Sequence, residues 1–226
     1  MRVAKVQAKT QAKMQLAETD PGDAVDQRVI LRGVRWADYE ALLAIRGDER
    51  PGVRLYYLEG DLELMSPSRS HEWIKTTLAR LLEAYADEME IELNGYGSLT
   101  MRRVRKERGA EPDECYVVGP LRGRKSPRPD LAIEVIWTSG GLDKLEIYSG
   151  LGVRELWICR THEKKLAVEV LALRSGHYVT ARRSRVLPAL DLDLLTRFLD
   201  ADSQTQAVRA FRAALRRRRA AVPGVH

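Results

Sequence analysis

Apolar and polar positions along this chain follow two different periods, and the switches between them mark its elements. From about residue 70 to 90, Ile74, Leu78, Leu81, Leu82, Tyr85 and Met89 recur mostly three or four residues apart, which makes one apolar face of a long helix. Residues 36–45 predict a short helix. Residues 54–58 and 62–65 read as strands joined at Glu59-Gly60-Asp61, where Gly60 can take the positive φ of a tight hairpin. Asn94-Gly95 is expected to close the long helix, followed by a strand at 96–104 and a charged turn at 105–109. Strands are expected at 115–118 and at 131–136, the most apolar run in the chain. A helix over 142–149 stops at Gly150 and Gly152. Strands at 155–159, 166–173 and 178–180 continue the pattern, then helices at 192–198 and through the arginine-rich end. This order predicts a mixed central β-sheet flanked by helices, α/β or α+β rather than all-β.

Composition sharpens the picture without changing it. The 226 residues are 44% hydrophobic and 31% charged, as in an ordinary globular protein. No Gly/Ser- or Pro-rich linker divides the middle, so one domain is expected over 29–200. Residues 1–28 read as a flexible or swapped N-terminal arm, and 201–226 as a basic C-terminal helix or tail. No stretch of about 18 apolar residues is present, so no membrane partner is expected. The N-terminal stretch has no apolar core of a secretory signal. Cys115 and Cys159 lie in apolar runs outside any C-x-x-C pattern, which points away from zinc and toward a reducing cytoplasm. The net charge is +6, with excess near the ends, including Arg209, Arg212 and the run from Arg216 to Arg219. A nucleic-acid partner fits that charge, and so does a solvated basic helix.

The candidate chemistry starts at Glu134, the lone charge within Leu131-Ala-Ile-Glu-Val-Ile-Trp. A buried carboxylate costs several kcal/mol unless a cation, a metal or a proton compensates it. Alternation places Asp130, Ala132, Glu134 and Ile136 on one face of the strand. Asp113 follows Pro112 at the entry to the preceding strand, so pairing of the two strands would set the two acids side by side. Such a pair repels unless a divalent ion neutralises it, and oxygen donors favour Mg²⁺ or Mn²⁺ over zinc. The blander reading is a turn aspartate and a glutamate paired with a structural arginine. Lys144 shares a helix face with Ile147, Tyr148 and Leu151, so it either snorkels to water or meets buried negative charge. Glu72 and His71 open the long helix. Glu72 reads as a first-turn acid or as a ligand acting through water; His71 reads as a surface histidine, a substrate contact or a proton carrier.

Taken in order, these segments resemble the Uma2 family within the PD-(D/E)XK nuclease superfamily. The matching pieces are Tyr57-Leu-Glu-Gly-Asp-Leu-Glu-Leu-Met-Ser-Pro, Ser70-His-Glu, Pro112-Asp113, Pro129-Asp-Leu-Ala-Ile-Glu-Val-Ile, the run from Asp143 to Ile158, and Val186-Leu-Pro-Ala-Leu. The resemblance covers roughly residues 36–200. It implies a restriction-endonuclease-like fold and a Mg²⁺- or Mn²⁺-dependent endonuclease acting on DNA. It implies Asp113 and Glu134 as metal ligands with the Val135 carbonyl as a third, Lys144 as the catalytic lysine and Glu72 as an accessory acid. The chain departs from the superfamily pattern at Ile136, where the D/E-x-K lysine usually stands; the resemblance implies that the lysine comes from the next helix instead, which fits Lys144. It departs again at the shortened Trp137-Thr-Ser-Gly-Gly segment and at polar Glu114. A homodimer is expected, since cutting two strands benefits from two-fold symmetry. The competing reading is a catalytically degenerate nuclease fold that binds nucleic acid or serves assembly.

Overall fold

The computed structural model describes residues 25–47, 52–121, 128–136, 140–162 and 165–221. The arm expected at 1–28 lies outside these except for its last four residues, and so do the first three residues, 137–139, of the shortened segment after Ile136.

The described residues build two sheets and five α-helices. The first sheet has the order β1-β3-β2-β6-β5, from Gln27–Leu31 (β1), Arg54–Leu58 (β2), Asp61–Ser66 (β3), Met101–Arg103 (β5) and Arg108–Ala110 (β6), all antiparallel. The turn between β2 and β3 puts Glu59 and Gly60 at positive φ, 46° and 95°. The second sheet has the order β11-β10-β9-β8-β7-β4, from Leu93–Gly95 (β4), Glu114–Val118 (β7), Leu131–Ile136 (β8), Glu155–His162 (β9), Lys165–Arg174 (β10) and His177–Ala181 (β11). It is the mixed sheet that the apolar pattern calls for. β8 runs parallel to β9, and the other pairings are antiparallel.

The helices are Trp36–Arg46 (α1), Arg69–Met89 (α2), Lys144–Leu151 (α3), Leu192–Thr196 (α4) and Gln204–Ala221 (α5). α2 starts at Ser68, whose hydroxyl accepts the His71 N–H at 3.2 Å. Its apolar stripe packs with Leu131, Ile133 and Val135 of β8 and Trp157 of β9, and Phe211 and Leu215 of α5 join the same core. Each such side chain contributes about 1.5–3 kcal/mol on burial. The opposite face of β8, with Ala132, meets Tyr56 and Met65 of the first sheet and Ile147, Tyr148 and Leu151 of α3. α3 is therefore wedged where the two sheets meet. A third cluster seats α1 on Leu55, Tyr57 and Leu62 through Tyr39 and Leu43.

Three local expectations are corrected. Of the strand read at 96–104 only Met101–Arg103 (β5) is strand, and β4, which ends just before that stretch, joins the other sheet. The long helix ends at Glu90, which takes the left-handed conformation at φ 55°, and Asn94-Gly95 belongs to β4. The charged turn at 105–109 runs into β6, where the flat glycine Gly109 lets the Tyr39 ring pack against the backbone. Among the described helices none is long and apolar enough to cross a membrane.

Candidate functional site

Glu134 lies on the β8 face that looks toward α3, and it is 1% exposed. The register pairs Glu114 of β7 with Ile133, so one step further along sets Asp113 opposite Glu134. Asp113 is fully buried. Its N–H bonds the Ile133 carbonyl at 3.1 Å, and its Oδ2 accepts the Val135 N–H at 2.6 Å. The N–H and C=O of one residue in an extended strand point to the same side, so the Val135 carbonyl lies on the Asp113 side of β8.

The two carboxylates have different company. Asp113 Oδ1 lies 2.9 Å from His71 Nε2 and 3.1 Å from Arg54 Nε. Burial works to raise the Asp113 pKa, but His71, Arg54 and the Val135 N–H outweigh it and hold the group below the usual carboxylate value. Glu134 Oε2 accepts the Tyr56 hydroxyl at 3.1 Å, and Oε1 accepts the Tyr148 hydroxyl. Burial pushes the Glu134 pKa upward, Lys144 draws it down, and the charge of Asp113 adds to the rise.

Lys144 is the first residue of α3, with Asp143 capping the helix by accepting the Glu146 N–H at 3.1 Å. A cation at a helix N-terminus is opposed by the dipole. Lys144 is nevertheless buried, with its ammonium over the Tyr56 ring and 3.8 Å from Glu63 Oε1. Burial lowers its pKa to about 8 against the pull of Glu134, Glu63 and Asp113. An acid shifted up beside a base shifted down is an arrangement typical of sites that move protons near neutral pH.

The structure thus brings Asp113, Glu134, Val135 and Lys144 together. Glu72 stands at the rim, with its side chain 41% exposed, 3.1 Å from Arg54 and 2.9 Å from Lys75. His71, read from sequence as a surface, substrate-contacting or proton-carrying residue, is fully buried, with Nδ1 3.0 Å from Asp26 and Nε2 on Asp113. Both ring nitrogens are taken by carboxylates, so it presents no surface to a substrate in this arrangement. Burial lowers the imidazole pKa, but the two aspartates overcome it and raise it to about 9.

Sequence reasoning missed Arg54, Tyr56, Glu63, Tyr148 and Asp26. For Glu63 a signal existed: it stands between Leu62 and Leu64 in a short strand, just as Glu134 stands between Ile133 and Val135. The others pair across 14 to 78 residues, a distance that no local pattern encodes.

The donor set fits a hard divalent ion. Each carboxylate offers about four lone-pair sites, so Glu134 with two donors and Asp113 with three contacts each keep capacity. Mg²⁺ is commonly held by one or two carboxylates and waters. Among the described residues no group of three or more His, Cys, Asp or Glu side chains forms a larger metal cluster. A cavity of about 210 Å³ opens beside Glu134, Val135 and Lys144 and is also lined by Arg28 and Arg160. A larger groove of about 610 Å³ runs past Arg46, Arg54, Glu72 and Lys75. Cys115 and Cys159 are buried free thiols whose pKa burial raises to about 12, so neither is a ready nucleophile.

Comparison with known proteins gives one family. The model of the Uma2 family, described as "Putative restriction endonuclease", matches residues 36–212, most of the chain and all of the site except Asp26 and Arg28. No curated protein matches the chain.

Proposed function

The chain belongs to the Uma2 family, and on that footing we propose that it is a Mg²⁺- or Mn²⁺-dependent endonuclease that hydrolyses phosphodiester bonds in DNA. The observation that supports this most directly is the buried pair Asp113 and Glu134 on adjacent strands, with Lys144 brought over them by α3. Asp113, Glu134 and the Val135 carbonyl would hold the ion. When bound, it supplies charge neutralisation at the scissile phosphate and an acidified water. Tyr56 and Tyr148 fix the Glu134 carboxylate through their hydroxyls. Lys144 offers its ammonium to negative charge that grows on the phosphate oxygens, or, as the neutral amine, takes a proton from water. Glu72, at the rim, orients water from outside. Cavity walls that carry Arg28 and Arg160 suit an anionic substrate. A homodimer in the cytoplasm, with one site for each DNA strand, completes the reading.

The test is cleavage of supercoiled plasmid by the purified protein with Mg²⁺ or Mn²⁺, beside Glu134→Gln prepared identically. Metal-dependent nicking that disappears in the variant is the expected result. Equal cleavage by both proteins would assign the activity to a contaminant and end the proposal.

One observation favours a second reading. The charge of Asp113 is already compensated by Arg54 and His71, as in a nuclease fold kept for nucleic-acid binding or assembly. Titration with Mn²⁺ separates the two. Saturable binding that is lost in Asp113→Asn supports catalysis, and no saturable binding supports the second reading.

A further inference from the structure

Glu63 has 0% exposure in β3, and one carboxylate there serves three partners. Arg28 Nε of β1 lies 2.9 Å from Oε1, Lys144 Nζ lies 3.8 Å from the same atom, and the Leu142 N–H donates to Oε2 at 2.6 Å. The last bond fastens the segment that leads into α3. Gly141 lies so close that a Cβ there would stand 2.9 Å from Oε2 and 3.3 Å from the Arg28 guanidinium carbon. Backbone, acid and both cations are therefore packed as one unit.

Burying this carboxylate costs several kcal/mol, and partners recover that only when the geometry is good. A hydrophobic residue at 63 would suit β3, which already carries Leu62, Leu64 and Met65. The acid matches a different need. Lys144 starts α3, where the dipole pushes its charge away from the helix end, and it has lost most of its water. Tyr56 supplies a ring face beneath the ammonium, and Glu63 supplies the charge beside it. Glu134, Val135, Lys144 and Arg28 line the 210 Å³ cavity, whereas Glu63 is not among its lining residues. Glu63 therefore stands behind the cavity wall and reaches a substrate only through what it holds.

We infer that Glu63 is a positioning residue that sets the Lys144 ammonium and the Arg28 guanidinium along the wall of the cavity where a phosphodiester would enter. This rests on the nuclease reading for its functional consequence, but not for its structural content.

The experiment uses the full chain, wild type and Glu63→Gln, with Glu63→Asp as a charge-keeping control. The amide of the first variant can still accept the Leu142 N–H, so the fold should survive, which thermal unfolding checks. Lys144 acylation by acetic anhydride is followed by mass spectrometry against exposed Lys165. Lys144 should label several-fold faster in Glu63→Gln and at an intermediate rate in Glu63→Asp. Should Glu63→Gln fail to fold, faster labelling in Glu63→Asp supports the inference, and a wild-type rate there overturns it. On plasmid, Glu63→Gln should reduce cleavage about tenfold, and by clearly less in a Lys144→Ala background, where Arg28 alone is left for Glu63 to hold. Unchanged Lys144 labelling, or an equal loss of cleavage in both backgrounds, overturns the inference. If the wild type does not cut at all, the nuclease reading fails and the labelling still decides the role of Glu63.

Discussion

The Asp113 carboxylate accepts the Val135 N–H at 2.6 Å, so the acid of one strand is tied to the backbone next to the acid of its neighbour. The same carboxylate balances Arg54 and His71. Removing it leaves Arg54 with Glu72 alone, His71 with Asp26 alone, and the Val135 N–H unanswered. Asp113→Ala should therefore cost about 3–5 kcal/mol, and Asp113→Asn less, since its amide oxygen still accepts the N–H. Urea unfolding of both variants measures this; equal stability of wild type and Asp113→Ala would contradict it.

Lys144→Met separates charge from packing. The methionine fills much the same volume, and Arg28 remains 2.9 Å from Glu63, so that acid keeps a partner. Cleavage should fall about 10²–10³-fold, as when one group that stabilises transition-state charge is lost. The unfolding midpoint should move little, because Glu63 keeps Arg28 and Glu134 keeps the Tyr56 and Tyr148 hydroxyls, so neither buried carboxylate is left without a partner. A collapse in stability with cleavage per folded molecule unchanged would make Lys144 purely structural.

His71 gives a stability signature in pH. Its folded pKa, raised to about 9, stands above the unfolded value of about 6.5. Protonation thus favours the folded chain. The contribution is complete below about pH 6.5 and drains away as pH rises through about 9. Chemical unfolding in chelator across this interval should show stability falling, and His71→Gln should flatten the slope. A rise in wild-type stability over the same range would refute the Asp26–His71–Asp113 clamp.

The chemistry of the site was readable in the chain only where a charge interrupted an apolar pattern. Glu134 in its strand and Lys144 on its helix face both stand out in this way, and Asp113 follows from its place beside Pro112. The long helix α2 and the strands from β7 to β10 were legible because their periods are strong. What stayed hidden depends on distant partners. Arg54 meets Asp113 across 59 positions, and β6 is so short that its charged neighbours made it look like a turn. The arginine-rich end shows the same limit. Arg212 and Arg216 pair with Asp87 and Glu88 of α2, and Arg218 with Asp191, which no local reading of the tail could foresee.

That end of the chain is part of the core rather than an appendage to it. Phe211 is fully buried and packs with Phe198 at 5.6 Å between ring centroids. Phe211→Ala should cost about 3–5 kcal/mol, whereas Arg217→Ala, on the exposed side, should stay within about 0.5 kcal/mol. Thermal unfolding of the two variants decides; similar small effects would detach α5 from the core.

α3 sits where the two sheets meet, and this has a consequence for how the cluster is assembled. Tyr56 and Glu63 come from the early part of the chain, and Glu134, Lys144 and Tyr148 from the later part. Neither half holds a complete set. Until the first sheet has packed, Glu134 lacks the Tyr56 hydroxyl and Lys144 lacks Glu63, so the cluster comes into being only when the two parts of the chain have docked.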